Sequence, residues 1–512
     1  MNSHHIPWRL AVLVPSMAVS ACFAAAPTVQ GPEAVQDWHN AGRQFIESGK
    51  ALVHHSGKAR NVILFVGDGM GVSTVTAARI LEGQMQGRSG EENRLSFETL
   101  PYLGLSKTYS WDQQTSDSAP TMTALVTGYK AREGQLSVNH LTARGECDAA
   151  VVKANSLKTI LEHAASRGKA TGIVTTARLT HATPAATYAH TAARDWEADS
   201  NLPSGCGVKD IARQLIEQPD EVRKSLTVAL GGGRSYFLPK LSHGKDVFDP
   251  EYPTIKGRRN DGRDLTSEWV STRGAGSAYV WNKSQFNAID PLRTTHLLGL
   301  FEPSHMQYEA DRALDPEGEP SLTEMAAKAI QMLQKRRAGY FLVVEAGRID
   351  HAHHGGNARR ALLDTLELSN AVRKAMEMTS ERDTLILVTA DHSHAFTIAG
   401  YPHRGNDILG LVKDVPAVDG DPIAYARDAN GLPYTTLGYA NGPGHRTGGR
   451  PDLLGVNTAA MNFQQEATVP MGSETHGGED VAIYARGPRA FHVRGSMEQN
   501  WIFHVMHHAF GF

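Results

Sequence analysis

Short, uninterrupted runs of apolar residues recur along the chain. They span Asn61 to Val66, Ala170 to Thr176, Tyr340 to Val344 and Thr384 to Val388. Each run contains β-branched residues and is too short for a typical helix, which indicates a strand buried on both faces. A further strand-like segment, Val481 to Ala485, lies near the end of the chain.

Helical patterns lie between these runs, for example from Ser156 to Arg167 and from Ser321 to Arg336. Strands that alternate with helices predict an α/β fold, a three-layer sandwich with a large, mostly parallel sheet between helices. Residues 396–462 differ, because Gly, Pro, Asn and Asp are frequent there and helical periodicity fades. They are interpreted as a loop-rich insertion.

The N-terminus has the pattern of a secretion signal. A weakly basic start is followed by an apolar stretch from Leu10 to Ala21, which is too short to span a bilayer as a mature helix. Two endings remain open. Ala24 to Ala26 is typical of a cleavage site for soluble export, whereas Val19 to Cys22 resembles a lipobox, in which Cys22 would carry a lipid anchor. Both endings predict export, to the periplasm or the extracellular space.

Charge and cysteine content narrow the function classes. Lys and Arg (51) nearly balance Asp and Glu (54), so nothing suggests a nucleic-acid-binding or polybasic membrane surface. Cys22 belongs to the signal region, which leaves Cys147 and Cys206. The alternatives are one disulfide and two separate buried thiols, and an oxidising destination favours the disulfide.

Ionisable residues follow several of the predicted strands. In open α/β sheets, ligands bind outside the carboxyl ends of the strands. We therefore expect Asp68, Glu345, Asp350 and Asp391 to converge, although they are far apart in sequence. A single acidic residue after a strand is usually a helix cap or a turn residue. Several strands that each end in an acidic residue, some with histidines nearby, indicate a ligand-binding site instead.

The histidine-rich segments have the donor types of a zinc site. Residues 350–354 contain one carboxylate and three imidazoles, and on a helix Asp350 and His354 would share a face. Neutral imidazole with carboxylate oxygen suits Zn²⁺. Residues 391–394 offer a second such set, and Asp68 adds a carboxylate between two glycines. His476 contributes only if the fold brings it to the others.

Ser118 and Arg194 are candidates for phosphoryl chemistry. Ser118 lies at a predicted helix N-cap, with Pro120 in the first turn of a helical pattern that runs to Thr127. The alternatives are an ordinary capping serine and a nucleophile at a helix end that favours anions. The guanidinium of Arg194 could clamp two phosphate oxygens, although a lone Arg is usually a surface residue.

Together these segments resemble the alkaline phosphatase family from Asn61 to about Gly511. The resemblance rests on several long motifs in the family's order, which are Gly67 to Gly71, Asp117 to Thr121, His181 to Ala185, Glu345 to His351, Thr389 to His394 and Thr475 to Asp480.

The resemblance implies roles for individual residues. The first of two zinc ions would be held by Asp350, His354 and His476. The second, next to the nucleophile Ser118, would be held by Asp68, Asp391 and His392. Asp68 would also reach a third site, with Thr183 and Glu345, that magnesium normally occupies. Arg194 would clamp the phosphate.

Two positions depart from the enteric-bacterial pattern of this family. His181 stands where that branch has Asp, and His351, near the phosphate, stands where it has Lys. Both resemble the animal and marine branch. His181 leaves open whether the third site takes magnesium, zinc or cobalt.

Other segments resemble the same branch. They imply a calcium site formed by Glu251, the carbonyl of Phe301, Glu302 and Asp315, and they place Cys147 and Cys206 where that branch has a disulfide. The implied organisation is a signal peptide (1–26), a core (27–395), a crown-like insertion (396–462) and the completion of the core (463–512). The family is typically homodimeric.

The function implied is hydrolysis of small phosphate monoesters in two in-line steps through a phosphoserine intermediate. A sulfatase on the same core would need Arg where Met122 stands. A related phosphodiesterase usually has a Thr nucleophile and lacks the third metal site. An exported phosphate- or metal-binding protein without turnover would leave Ser118 unexplained.

Overall fold

A ten-stranded sheet forms the centre of the fold in the computed structural model, which describes residues 35–512. The predicted signal peptide and Cys22 lie outside the described residues. The strands are β1 (Asn61–Gly67), β2 (Tyr102–Lys107), β3 (Ala170–Arg178), β4 (Leu226–Gly232), β5 (Leu241–Ser242), β6 (Lys245–Asp246), β7 (Ser277–Val280), β8 (His296–Leu300), β9 (Tyr340–Ala346), β10 (Thr384–Ala390), β11 (Ser393–His394), β12 (Phe396–Ile398), β13 (Leu437–Gly442), β14 (Ala467–Pro470), β15 (His476–Gly477), β16 (Val481–Arg486) and β17 (Gly495–Glu498).

Helices cover both faces of this sheet. They are α1 (Val35–Lys50), α2 (Val72–Met85), α3 (Ser118–Thr127), α4 (Ala149–Ala154), α5 (Ile160–Ser166), α6 (Ala182–Ala185), α7 (Ile211–Ile216), α8 (Asp220–Ser225), α9 (Arg234–Phe237), α10 (Leu265–Arg273), α11 (Lys283–Ala288), α12 (Leu322–Leu333), α13 (Arg348–His354), α14 (Ala358–Met378) and α15 (Trp501–Phe510). Among the helices of residues 35–512, none combines the length and the apolar character that a membrane span requires.

The sheet order is β17-β2-β16-β10-β1-β9-β3-β4-β8-β7. Its strands run in one direction except β16, which pairs antiparallel with both β10 and β2. Successive residues of β1 face opposite sides, so Leu64 joins a core cluster with α5 and α15, and Phe65 joins another with α12 and α14. The predicted three-layer α/β class is confirmed.

The register of the central strands aligns their carboxyl ends. Gly67 at the end of β1 pairs with Ala390 of β10 on one side and with Ala346 of β9 on the other. Residues that immediately follow these strands therefore emerge side by side at one edge of the sheet. This alignment brings residues separated by more than 300 positions into one site.

A small three-stranded sheet lies outside the large one. β12 pairs antiparallel with β13, and β13 pairs parallel with β14. No α-helix occurs between residues 396 and 462, all of which the structure describes, in keeping with the loop-rich pattern predicted there.

Two local predictions differ from the structure. The N-cap of α3 is Asp117, whose carboxylate accepts a hydrogen bond from the backbone N–H of Ser118, so Ser118 is the first helical residue rather than the cap. The helix expected from Ser156 to Arg167 begins only at Ile160, because Thr159 and Glu162 form a capping box there.

The two cysteines of the described chain are bonded to each other. Cys147 and Cys206 form a disulfide with a Cα–Cα distance of 4.8 Å and lie beside a small apolar cluster that includes Val152 and Trp196. The predicted disulfide is confirmed.

Candidate active site

The predicted site residues gather at the carboxyl end of the large sheet. Asp68 follows β1, Asp391 follows β10, and Glu345 lies near the end of β9, all three of them buried. The short helix α13, just after β9, carries Asp350 and His354 one turn apart. Ser118 reaches the same edge from the first turn of α3.

Asp350, His354 and His476 form one triangle of donor atoms. Nε2 of His354 and Nε2 of His476 lie 3.2 Å apart, and each lies 3.3 Å from Oδ1 of Asp350. Ligands about 2.0 Å from a tetrahedral zinc ion are separated by about 3.3 Å. The triangle therefore has the dimensions of three corners of a zinc tetrahedron.

Backbone carbonyls set the tautomers of both histidines in this triangle. Nδ1 of His354 donates to the carbonyl of Glu474 at 2.6 Å, and Nδ1 of His476 donates to the carbonyl of Ser116 at 2.8 Å. In their neutral forms both Nε2 atoms then carry a lone pair, and no proton lies between them. Two lone pairs beside a carboxylate repel one another, so this donor set fits a cation.

A second group of donors surrounds the hydroxyl of Ser118. Its Oγ lies 3.2 Å from Nε2 of His392 and 3.5 Å from Oδ1 of Asp68. Nε2 of His392 lies 3.3 Å from Asp68 Oδ1 and 3.5 Å from Oδ2 of Asp391. These four separations, out of six among the donor atoms, are close to the edge length of a tetrahedron around one cation.

Burial makes the ionised carboxylates of this group costly. Burial and the neighbouring Asp391 raise the pKa of Asp68 well above its usual value. Burial likewise raises the pKa of Asp391 to about 6, although the backbone N–H of Gly69 donates to its Oδ1 at 3.1 Å. Acidic groups with these shifts are stabilised in their charged form by a cation.

A third group contains only buried oxygen donors. Oδ2 of Asp68 lies 3.5 Å from Oγ1 of Thr183. Oε1 of Glu345 is buried and has no hydrogen-bond partner among residues 35–512. Burial raises the pKa of Glu345 to about 7. Oxygen donors suit a hard cation such as Mg²⁺, whereas a ring nitrogen of His181 lies close enough to join Asp68 and Glu345 and would favour zinc or cobalt.

Arg194 contacts Asp117, the residue that precedes Ser118, and is held from two sides. Its Nη1 donates to Oδ2 of Asp117, and its Nη2 lies 2.9 Å from Nε2 of His181. Although burial opposes ionisation of Asp117, the guanidinium of Arg194 lowers the pKa of that carboxyl to about 2. The side chain is thereby fixed as a cation against the residue that caps α3 immediately before Ser118.

His351 packs in a cluster of three imidazoles rather than against Ser118. Its ring centroid lies 4.0 Å from that of His305 and 5.4 Å from that of His181. Each ring contacts a guanidinium, those of Arg348, Arg178 and Arg194 respectively. Burial and the neighbouring Arg348 lower the pKa of His351 to about 3. The cluster is thus a neutral wall among cations, a setting that disfavours a further metal ion.

The residues of the predicted calcium site also lie close together. Both carboxylate oxygens of Asp315 and Oε1 of Glu251 are buried without a hydrogen-bond donor among the described residues. Burial and the nearby Asp315 raise the pKa of Glu251 to about 7, and burial raises the pKa of Glu302 to about 7. Phe301 immediately precedes Glu302 at the end of β8. The other oxygen of Glu251, Oε2, accepts from Arg234 at 2.9 Å. The oxygens without a donor are suited to Ca²⁺.

Sequence reasoning gave no separate role to His394, which it noted within the 391–394 set, or to Glu474, and both support the metal groups. Oδ1 of Asp350 accepts a hydrogen bond from Nε2 of His394 at 2.9 Å, and Nδ1 of His394 donates to Oε2 of Glu474 at 2.5 Å. Although burial opposes the charged ring, these hydrogen bonds raise the pKa of His394 to about 9. The only local signal was proximity, because His394 and Glu474 each lie two residues from a predicted ligand.

Comparisons with known proteins identify relatives of this chain. A family model described as alkaline phosphatase matches residues 59–512. The tissue-nonspecific alkaline phosphatase of Gallus gallus is 46% identical over 489 residues, covering 93% of this chain and 90% of that protein. The alkaline phosphatase of Gadus morhua is 43% identical over 481 residues, covering 92% of this chain and 96% of that protein.

Solved structures with similar folds are alkaline phosphatases as well. The enzyme from Thermus thermophilus has a TM-score of 0.62 at 25% identity, with 90% of this chain and 92% of that chain covered. The enzyme from the Antarctic bacterium TAB5 has a TM-score of 0.58 at 21% identity, with 89% and 99% covered. The second likeness concerns the fold alone.

Proposed function

Because this chain belongs to the alkaline phosphatase family and is a phosphomonoesterase, we propose that it acts through a phosphoserine intermediate on Ser118. The observation that carries the proposal is the position of the Ser118 hydroxyl, which lies 3.2 Å from His392 and 3.5 Å from Asp68. Arg194 is held as a cation by Asp117, the residue immediately before Ser118. A nucleophile, an anion clamp and a group of metal donors in contact suit phosphoryl transfer.

The chain's own residues account for both steps of the reaction. In the first, Oγ of Ser118 bonds to phosphorus while the bond to the leaving alcohol breaks. The N-terminal end of α3 favours the anionic charge of the phosphoryl group, and Arg194 binds two of its oxygens. In the second step water displaces Ser118 and releases inorganic phosphate.

Two zinc ions would occupy the two donor groups around Asp350 and Ser118. The first group consists of Asp350, His354 and His476, and the second of Asp68, Asp391 and His392. When bound, the zinc ions would lower the pKa of coordinated hydroxyl groups and neutralise charge on the attacking and leaving oxygens. The chain's contribution is to orient the ligands, with backbone carbonyls selecting the tautomers of His354 and His476.

We assign the oxygen-rich third group, Asp68, Thr183 and Glu345, to Mg²⁺. The second carboxylate oxygen of Asp68 would link this site to the Ser118 group, since Oδ1 faces Ser118 and Oδ2 faces Thr183. We assign Glu251, the carbonyl of Phe301, Glu302 and Asp315 to Ca²⁺, on the strength of the unpaired buried oxygens of Glu251 and Asp315. His351 would act indirectly, as part of the neutral imidazole wall beside Arg194.

Location and assembly are part of the same proposal. We propose export, either in soluble form after removal of residues 1–26 or anchored through a lipidated Cys22 that becomes the mature N-terminus, and the disulfide supports an oxidising compartment. Residues 396–462 would form a crown-like insertion between the core segments 27–395 and 463–512. The working form would be a homodimer, as is typical of the family.

Substrate selectivity tests this function. The purified protein is assayed at alkaline pH with p-nitrophenyl phosphate, the corresponding diester and the corresponding sulfate, with and without a zinc chelator. We expect rapid hydrolysis of the monoester only, abolished by the chelator and restored by zinc and magnesium. Preferred hydrolysis of the diester or the sulfate, or monoesterase activity that survives complete metal removal, would refute it.

A further inference from the structure

Glu474 contacts the first metal group through both its main chain and its side chain. Its carbonyl accepts the 2.6 Å hydrogen bond from Nδ1 of His354, and its N–H donates to the carbonyl of His354 at 2.9 Å. Its carboxylate accepts from Nδ1 of His394 at 2.5 Å and from the N–H of Ala395 at 2.7 Å. The side chain is buried, with 1% of the residue's surface exposed.

The carboxylate of Glu474 reaches Asp350 through one intervening ring. Nε2 of His394 donates to Oδ1 of Asp350 at 2.9 Å, so the imidazole joins two carboxylates with both of its nitrogens. Oδ1 of Asp350 is also the atom that faces Nε2 of His354 and of His476. Glu474 is therefore linked, through His394, to the one carboxylate oxygen of the donor triangle.

We propose that Glu474 is a positioning residue for the zinc ion of the Asp350 group, although it is not a ligand itself. The inference rests on the proposed two-zinc function and adds the residue that holds two of the first zinc's ligands in place. Partners that orient metal ligands contribute strongly to affinity, and their loss typically costs about 10- to 100-fold. Without the Glu474 carboxylate, Nδ1 of His394 has no acceptor. The ring of His394 can then rotate and no longer holds the side chain of Asp350 in one rotamer.

The small sheet holds Glu474 in this position. The side-chain amide of Asn441, in β13, donates to Oγ1 of Thr475 at 2.8 Å and accepts from the N–H of Thr475 at 2.9 Å. Gly442 packs on the same segment, since a Cβ at that position would lie 3.0 Å from Cβ of Glu474. The insertion thereby supports the segment that carries Glu474, and through it the first metal group.

Two substitutions of one residue test the inference. Glu474→Ala removes the acceptor, whereas Glu474→Gln keeps the size and an oxygen for Ala395. The zinc-loaded proteins are mixed with a chromogenic chelator, and zinc release is followed over time. We expect one of the two zinc ions to leave about 10- to 100-fold faster from Glu474→Ala, with Glu474→Gln between it and the wild type.

Glu466→Ala is the matched control, because Glu466 is a partly buried carboxylate near the same sheet that pairs with Arg450 at 2.7 Å. Its zinc release should equal that of the wild type. Added zinc should restore the activity of Glu474→Ala. Relative to the wild type, the zinc concentration needed for activity should change more than the KM for substrate. Melting temperatures without zinc separate a folding defect from a positioning defect.

The outcomes distinguish this inference from the function on which it rests. If the wild type binds two zinc ions and Glu474→Ala releases both at wild-type rates, Glu474 is not a positioning residue. If the wild type itself retains no zinc and needs none, the proposed two-zinc function fails instead. An equal loss of zinc from Glu474→Ala and Glu466→Ala would assign the effect to the small sheet as a whole and overturn the specific role of Glu474.

Discussion

The hydroxyl oxygen of Ser118 lies 3.2 Å from Nε2 of His392, and both side chains are buried. Nδ1 of His392 faces the carbonyl of Ser393 at 3.2 Å, so in the neutral ring the lone pair is on Nε2 and points toward Ser118. Burial and the neighbouring His476 lower the pKa of His392 well below its usual value, which keeps the ring neutral. The Nε2 lone pair of His392 and the hydroxyl oxygen of Ser118 are therefore placed so that both could bind one cation.

Replacing Arg194 by Lys should weaken phosphate binding more than it harms folding. Lysine keeps the charge but cannot make two parallel hydrogen bonds to phosphate oxygens. A hydrogen bond to a charged group contributes about 1.5–3 kcal/mol, so kcat/KM should fall about 10- to 100-fold. Steady-state kinetics and inhibition by inorganic phosphate measure this, and an unchanged phosphate inhibition constant would remove Arg194 from the clamp.

Loss of the disulfide should destabilise the folded protein. Cys147 and Cys206 are separated by 59 positions, and closing a loop of that size contributes about 4 kcal/mol when the unfolded chain is otherwise flexible. The double substitution Cys147→Ser, Cys206→Ser should lower the melting temperature, and a reductant should lower that of the wild type only. Equal melting of both proteins would show that the bridge does not contribute.

The buried carboxyl groups of Glu345 and Asp391 should contribute less to the stability of the metal-free protein as the pH rises from 5 to 8. Burial raises the folded-state pKa of Glu345 to about 7 and of Asp391 to about 6. The stabilisation from these protonated groups is complete below their unfolded values near 4 and is lost as pH passes through the raised values. Metal-loaded protein should not show this loss.

Glu345→Gln isolates one contributor to that pH dependence, since glutamine mimics the protonated acid. In the presence of a chelator, the melting temperature of Glu345→Gln relative to that of the wild type should rise between pH 5 and 8, because the histidines contribute equally to both proteins. The difference should be on the order of 1–3 kcal/mol in the free energy of unfolding. Parallel curves for the two proteins would contradict the raised pKa of Glu345.

Calcium should stabilise the protein through Asp315. Its two carboxylate oxygens are buried and have no donor among residues 35–512, so a bound cation would remove an electrostatic cost. Added Ca²⁺ should raise the melting temperature of the wild type and not that of Asp315→Asn. The exposed Asp419→Asn serves as the control and should respond as the wild type does. A calcium response retained by Asp315→Asn would exclude this ligand.

The hydrophobic pattern of the sequence predicted the central strands of the sheet but not the strands near one of its edges. β1, β9 and β10 are continuous apolar runs because they are buried on both faces. In contrast, β2, which lies beside the edge strand β17, alternates between exposed and buried residues, and Leu103 and Leu105 are exposed. Its membership in the sheet depends on pairing with β16 and β17, more than 370 residues away, which no local pattern records.

The same limit applies to the candidate site. Strand ends and helical spacing predicted that Asp68, Asp350 and Asp391 would converge, because both depend on short-range geometry. The contacts of Glu474 with His354 and His394 depend on how a distant segment returns to α13. Likewise, His305 joins His351 only through the packing of a loop after β8. The roles of such residues can be assigned only when the fold is known.

Trapping the phosphorylated enzyme tests the central claim most directly. Wild-type protein, Ser118→Ala and a control, Ser106→Ala, with a buried hydroxyl on β2, are mixed with phosphate monoester, quenched rapidly in acid and analysed by peptide mass spectrometry. We predict covalent phosphate on Ser118 in the wild type and in Ser106→Ala, and neither phosphopeptide nor turnover in Ser118→Ala with its zinc retained. Phosphate on another residue, or wild-type turnover by zinc-loaded Ser118→Ala, would contradict Ser118 as the nucleophile.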